Sequence, residues 1–250
     1  MTDAPPPRRI APESGPHLWS AEALSPADWM LPLGAEAAAE AHAAEPDAAL
    51  PRLDPLMSRI AERLLHGKGF VLLRGLPAPE DAAALLRLLG SRIGEPVDSP
   101  PASGPLFTEA CDMLLLLCQA AATVTLRSAA AVHNALLKTN RAALDVLYRP
   151  LPQGQELELP VFAVDAGIFS ARLDRAAMAD ATPAETLAAL DQAMETPGLA
   201  LNLPLRAGDV LCLNPFLVWA SRVPGLVPQP LRAREDSRLA QSAFAGLLRA

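Results

Sequence analysis

Ala207-Gly208-Asp209-Val210-Leu211-Cys212-Leu213-Asn214-Pro215-Phe216-Leu217-Val218-Trp219-Ala220-Ser221-Arg222 is the stretch on which the reading of this chain turns. Val210–Leu213 is a short apolar run behind a glycine–aspartate pair, which predicts a core strand, and the whole segment reads as a strand pair. Ala220, near its end, carries a methyl group with no lone pair to offer a metal. No histidine follows residue 133; the four in the chain are His17, His42, His66 and His133. No His-x-Asp or His-x-Glu triplet occurs anywhere.

Outward from this segment, other apolar runs predict strands at residues 70–76, 113–118, 123–126, 160–164 and 168–173. Helices are predicted at 34–44, 55–65, 79–90, 129–137, 140–147 and 183–195. In the second of these Leu56, Ile60 and Leu64 repeat every four residues and so define one buried face. Helices placed before, between and after several strands imply a mainly β domain with flanking helices, built as a sheet sandwich. The proline-rich residues 1–16 predict a disordered arm, and 17–250 a single domain.

Composition narrows the partners. A net charge of -7 and a pI near 5.1 oppose nucleic-acid binding, which needs cations to neutralise phosphates. Arg232, Arg234 and Arg238 are interrupted by Glu235 and Asp236, which reads as a solvated, salt-bridged segment. Three cysteines, Cys111, Cys118 and Cys212, with apolar neighbours suggest packed, reduced thiols in a cytoplasmic protein. The longest strongly apolar run, 113–118, is far too short to cross a membrane. The N-terminal residues lack the basic-then-apolar order of a signal peptide.

Several landmarks in order resemble the TauD/TfdA family of iron(II)/2-oxoglutarate dioxygenases. The 207–222 segment resembles that family's G-D-hydrophobic-Asn-(several)-His-(small)-Arg strand pair. Trp19, Leu24 and Trp29 resemble the tryptophan-containing opening of one of its branches. Gly67-Lys68-Gly69-Phe70-Val71-Leu72-Leu73-Arg74-Gly75-Leu76 resembles its first core strand, and Leu88 through Val97 the helix end and G-x-P turn that follow. Ala131-Val132-His133-Asn134, Leu144-Asp145-Val146-Leu147 and Pro160-Val161-Phe162 continue the series. The resemblance implies a distorted jelly roll, the clavaminate synthase-like double-stranded β-helix. It also implies ancestral Fe(II) held by two histidines and a carboxylate, with 2-oxoglutarate gripped by an arginine.

At the positions that the resemblance assigns to this chemistry the residues differ. Phe107 stands for the first histidine, Glu109 for the acid two residues on, and Ala220 for the distal histidine. Gln241 falls where the co-substrate arginine is expected, with Arg238 three residues away, and Arg222 matches a further family arginine. These six are vestigial positions on this reading. No catalytic residue and no bound cofactor are expected. The walls also look trimmed, with a short turn between Val97 and Phe107 and Gln119-Ala120-Ala121-Ala122-Thr123 in place of a glycine–glycine turn.

Other candidates are weaker. His133 beside Asn134 reads as a capping or surface histidine rather than a general base. Glu109 and Asp112 read as solvated strand-end carboxylates, and Cys111 as a packed thiol. The expected function is a dioxygenase-like protein without iron catalysis, acting as a non-catalytic partner or small-molecule binder. Its partner would be a second copy or an active relative. The alternative is an active oxidoreductase that uses Glu109, Asp112 or Cys111 in a non-standard site.

Overall fold

Three apolar runs, buried along their length, form the centre of the molecule: 70–73, 113–118 and 210–213. In the computed structural model, residues 10–43, 48–76, 79, 81–99, 104–153, 157–241 and 243–248 are described. Residues 1–9 of the expected arm and 100–103 of the expected short turn between Val97 and Phe107 lie outside them. Residues 10–16 are docked: Ile10 packs against the core, and Glu13 is held through its backbone by Asn134.

The helices are α1 (Pro26–Trp29), α2 (Ala35–Ala43), α3 (Leu53–Leu65), α4 (Ala82–Ile93), α5 (Ala129–Thr139), α6 (Arg141–Leu147) and α7 (Ala184–Met194). The strands are β1 (Met30–Pro32), β2 (Phe70–Arg74), β3 (Gly94–Pro96), β4 (Met113–Cys118), β5 (Ala122–Ser128), β6 (Leu151–Pro152), β7 (Glu158–Leu159), β8 (Phe162–Asp165), β9 (Ile168–Ala171), β10 (Leu201–Leu205), β11 (Val210–Leu213), β12 (Val218–Ala220) and β13 (Leu226–Ala233). A six-stranded sheet runs β1-β2-β11-β4-β13-β3, and a smaller one runs β10-β5-β12. The first sheet is antiparallel apart from the β1–β2 pair.

The period of two in a strand explains why the central runs are apolar throughout. Phe70, Leu72, Leu114, Leu116, Leu211 and Leu213 face the interior between the sheets. Val71, Leu73, Leu115, Leu117, Val210 and Cys212 face the other way, onto α3 and α4 through Leu53, Met57, Ile60, Leu64, Leu86 and Leu89. A strand covered on both faces cannot alternate with polar residues. The expected sandwich with helical buttresses is therefore the observed one.

Strand β13 escapes the sequence reading because Pro228 and Pro230 sit inside it. Both belong to the part paired with β4 alone, since β3 joins only at residues 231–233. The Pro230 carbonyl accepts from Val97 N on the side away from β4, so the donors that proline lacks point where no β4 partner waits.

Asp209 explains the glycine–aspartate pair. Gly208 has a φ of 87°, and Asp209 is nearly buried. Its carboxylate accepts from Arg74 Nε at 3.0 Å, Arg74 Nη2 at 2.6 Å and Arg206 N at 2.9 Å. The fork ties the end of β2 to the entry of β11. Asp209→Ala leaves the Arg74 guanidinium without its counter-ion. We expect a loss of about 2 kcal/mol, read as a fall in Tm of about 4 to 8 °C by differential scanning fluorimetry.

Candidate functional site

The segment 105–109 closes onto the chain just beyond β12. Leu106 and Ser221 form an antiparallel bridge, with Phe107 N donating to Ala220 O at 3.0 Å and Arg222 N to Pro105 O at 2.8 Å. That register sets Phe107 directly opposite Ala220, so their Cβ atoms lie on one face about 5 Å apart. Arg222, two residues beyond Ala220, points the same way. Its Nη2 donates to Glu109 Oε1 at 2.6 Å, and its guanidinium carbon lies 4.4 Å from the centre of the Phe107 ring. Glu109 is buried to 2% side-chain exposure, against 25% for Arg222. Four of the six sequence-predicted positions thus come together: Phe107, Glu109, Ala220 and Arg222.

The other two are held elsewhere. Arg238 is buried, and its Nη2 donates to Leu65 O at 3.1 Å; burial pushes its guanidinium down to about 10. Gln241 accepts from Ser170 Oγ at 2.9 Å. No hydrogen bond or ion pair among the described residues joins either to the Phe107 group. The expectation of a solvated 232–238 segment needs correcting: Arg232 and Arg234 are exposed, whereas Arg238 is not.

Further expectations are overturned by burial. Glu109 and Asp112 are both buried rather than solvated, and Asp112 accepts from Ala233 N at 2.9 Å, Arg238 N at 2.7 Å and Leu239 N at 3.3 Å. It pins the returning C-terminal segment, a local task for an acceptor-only group. His133 is fully buried rather than on the surface. Its Nδ1 lies 3.1 Å from Asn134 Oδ1 and its Nε2 2.9 Å from Tyr148 Oη. Since Asn134 Oδ1 is an acceptor, Nδ1 carries the proton and Nε2 accepts from the tyrosine hydroxyl. The rings of Phe162 and Phe169, each nearly perpendicular to the imidazole, complete the cage.

Arg172 belongs to none of the motifs that the sequence offers. It ends the β9 run, is 8% exposed, and donates through Nη1 to Thr108 O. A lone charge inside an apolar run, 168–173, is the one signal of it in the sequence. The three cysteines are buried as expected; burial pushes the Cys212 thiol up to about 12 and the Cys111 thiol well above its ordinary value. Burial thus favours the thiol form of Cys111, which is a weak nucleophile.

The donor set can be tested against ferrous iron. Of the three positions that the resemblance assigns to the metal, Phe107 presents a ring and Ala220 a methyl. Glu109 has one oxygen on Arg222 and the other, Oε2, buried without a partner. One carboxylate already neutralised by a guanidinium does not make a three-ligand face. Among the described residues, no three His, Cys, Asp or Glu side chains are grouped to hold a metal. None of the described helices is long and apolar enough to cross a membrane.

Burial lowers His133 and His17 below the ordinary histidine value, with Arg238 adding to the effect on His17. A folded-state value below the unfolded one means that stability is complete above about pH 6.5 and declines as the pH falls below it. Glu13, pushed up by burial, acts in the opposite sense in the more acidic carboxylate range. We expect the urea midpoint to fall between about pH 7.5 and 5.5, and His133→Gln to fall less over that interval.

No protein-family profile and no curated protein sequence matches this chain. Solved structures do. Asparagine oxygenase (AsnO) matches with a TM-score of 0.58 at 17% identity, over 84% of this chain and 98% of that one. The non-heme iron oxygenase OrfP, in complex with Fe, succinate and (3R,4R)-dihydroxy-L-Arg, matches with 0.55 at 16% identity, over 81% and 93%. PvcB from Pseudomonas aeruginosa matches with 0.51 at 16% identity, over 74% and 81%. The chain therefore has the double-stranded β-helix fold of the TauD-like iron/2-oxoglutarate oxygenases.

Proposed function

We propose that this chain is a dioxygenase-fold protein that has given up iron/2-oxoglutarate chemistry, and that it serves as a non-catalytic partner or small-molecule binder. The observation that carries the proposal is the cross-strand pairing of Phe107 with Ala220, beside a Glu109 already neutralised by Arg222. In this reading the internal guanidinium supplies the positive charge that a buried carboxylate requires, and the phenylalanine ring covers the pair. No catalytic step is assigned to the site.

The fold of AsnO and OrfP supports descent from iron oxygenases, and a lost site on an intact scaffold explains why the landmarks persist around Phe107 and Ala220. Binding could serve an active relative, with this chain as a companion subunit, or a ligand in its own right.

Two experiments test the reading. Anaerobic titration of the protein with ferrous iron and 2-oxoglutarate should give no metal-to-ligand charge-transfer band; a band at one iron per chain would overturn the proposal. The double variant Phe107→His with Ala220→His should gain Co(II) binding that the wild type lacks, seen as visible d–d absorption. The opposed register brings both imidazoles within reach of one ion. A double variant that folds but binds no metal would mean that the two positions do not converge in solution.

A further inference from the structure

Arg172 is nine-tenths buried, yet it makes no ion pair among the described residues. Its Nη1 is taken by the Thr108 carbonyl, Nε is buried with no partner, and among the described residues no bond runs through Nη2. The open Nε–Nη2 edge is the side of a guanidinium that receives a carboxylate as a two-pronged fork.

Each nearby acid is engaged elsewhere. Glu109 is paired with Arg222, and Asp112 spends both oxygens on three backbone N–H groups. Asp174 uses Oδ1 on Ala177 N and makes no ion pair with Arg172. The Cys111 thiol is held protonated by burial. Asp174 and Glu109 act on the guanidinium through space, but neither closes an ion pair on it, and burial still disfavours the cation.

The shortage of partners is concentrated here. Thr108 Oγ1 and Glu109 Oε2 are both buried and unpartnered, as is Arg222 Nε. Two adjacent residues and the two arginines that grip them leave four polar atoms open. Internal water could meet the hydrogen bonds, but it brings no negative charge into direct contact with the guanidinium.

We propose that Arg172 anchors a site for a small organic carboxylate, bound side-on to its Nε–Nη2 edge without any metal. The proposal rests on the small-molecule-binder reading above and gives that ligand a chemical class. A single guanidinium on which no protein carboxylate closes fits a monovalent carboxylate group better than a doubly charged phosphate.

The test is thermal stability with chelator present, so that iron plays no part in the outcome. Acetate and succinate should raise the wild-type Tm by about 3 to 6 °C at ten times Kd, while chloride and inorganic phosphate at equal ionic strength should not. Arg172→Met should abolish the response, and Arg172→Lys, which keeps the charge but not the fork, should retain a weaker one. If the methionine variant does not fold, the wild-type comparison of carboxylate with chloride and phosphate decides alone. Absence of any carboxylate-specific shift, a shift as large with phosphate, or an undiminished response in folded Arg172→Met would each overturn the proposal. The loss-of-iron reading would stand or fall separately on the anaerobic titration.

Discussion

Where the 105–109 segment closes onto the chain beyond β12, a buried carboxylate is balanced by a guanidinium: Glu109 against Arg222 at 2.6 Å, with the Phe107 ring beneath the cation. Burying a carboxylate to this degree is costly unless a cation or hydrogen-bond donors meet it. Removing one member of a buried pair costs about 3 to 5 kcal/mol; the quarter-exposed Arg222 side chain brings this pair toward the lower end. The aromatic face adds about 1 kcal/mol. The pair also joins two pieces of chain more than a hundred residues apart, and the bridge at Leu106–Ser221 fixes which side chains meet there.

That geometry depends in turn on the central strands. β4 and β11 lie side by side in the large sheet, covered on both faces, and β12 returns in the smaller sheet against β5. The buried Asp112 just before β4 holds the end of β13 and the segment after it, while Asp209 holds β2 to β11. Carboxylates thus act as tethers at three points in this molecule. Asp112 and Asp209 engage both oxygens with donors of the protein itself, whereas Glu109 engages Oε1 alone and leaves Oε2 open.

Much of this architecture is legible in the amino-acid sequence. The runs at 113–118 and 210–213 appear as strands at those very residues, because continuous apolar sequence of that length between turn signals has few other solutions. The pairing of Phe107 with Ala220 is readable there only as a gap, two positions where ligands are expected and none stands. What stays hidden has physical causes. Two prolines disguise β13, since the parity that makes them tolerable appears only once its neighbours are known. The burial of His133 and Arg172 escapes the sequence because it depends on what folds over each: Phe162 and Phe169 for the one, the 107–109 segment for the other.

Diffraction at the iron absorption edge, from crystals soaked anaerobically in ferrous iron, tests the central claim most directly. The account predicts no anomalous peak within bonding distance of Glu109, and an Arg222 guanidinium still seated on its carboxylate. A peak bound to Glu109 with Arg222 displaced would contradict it.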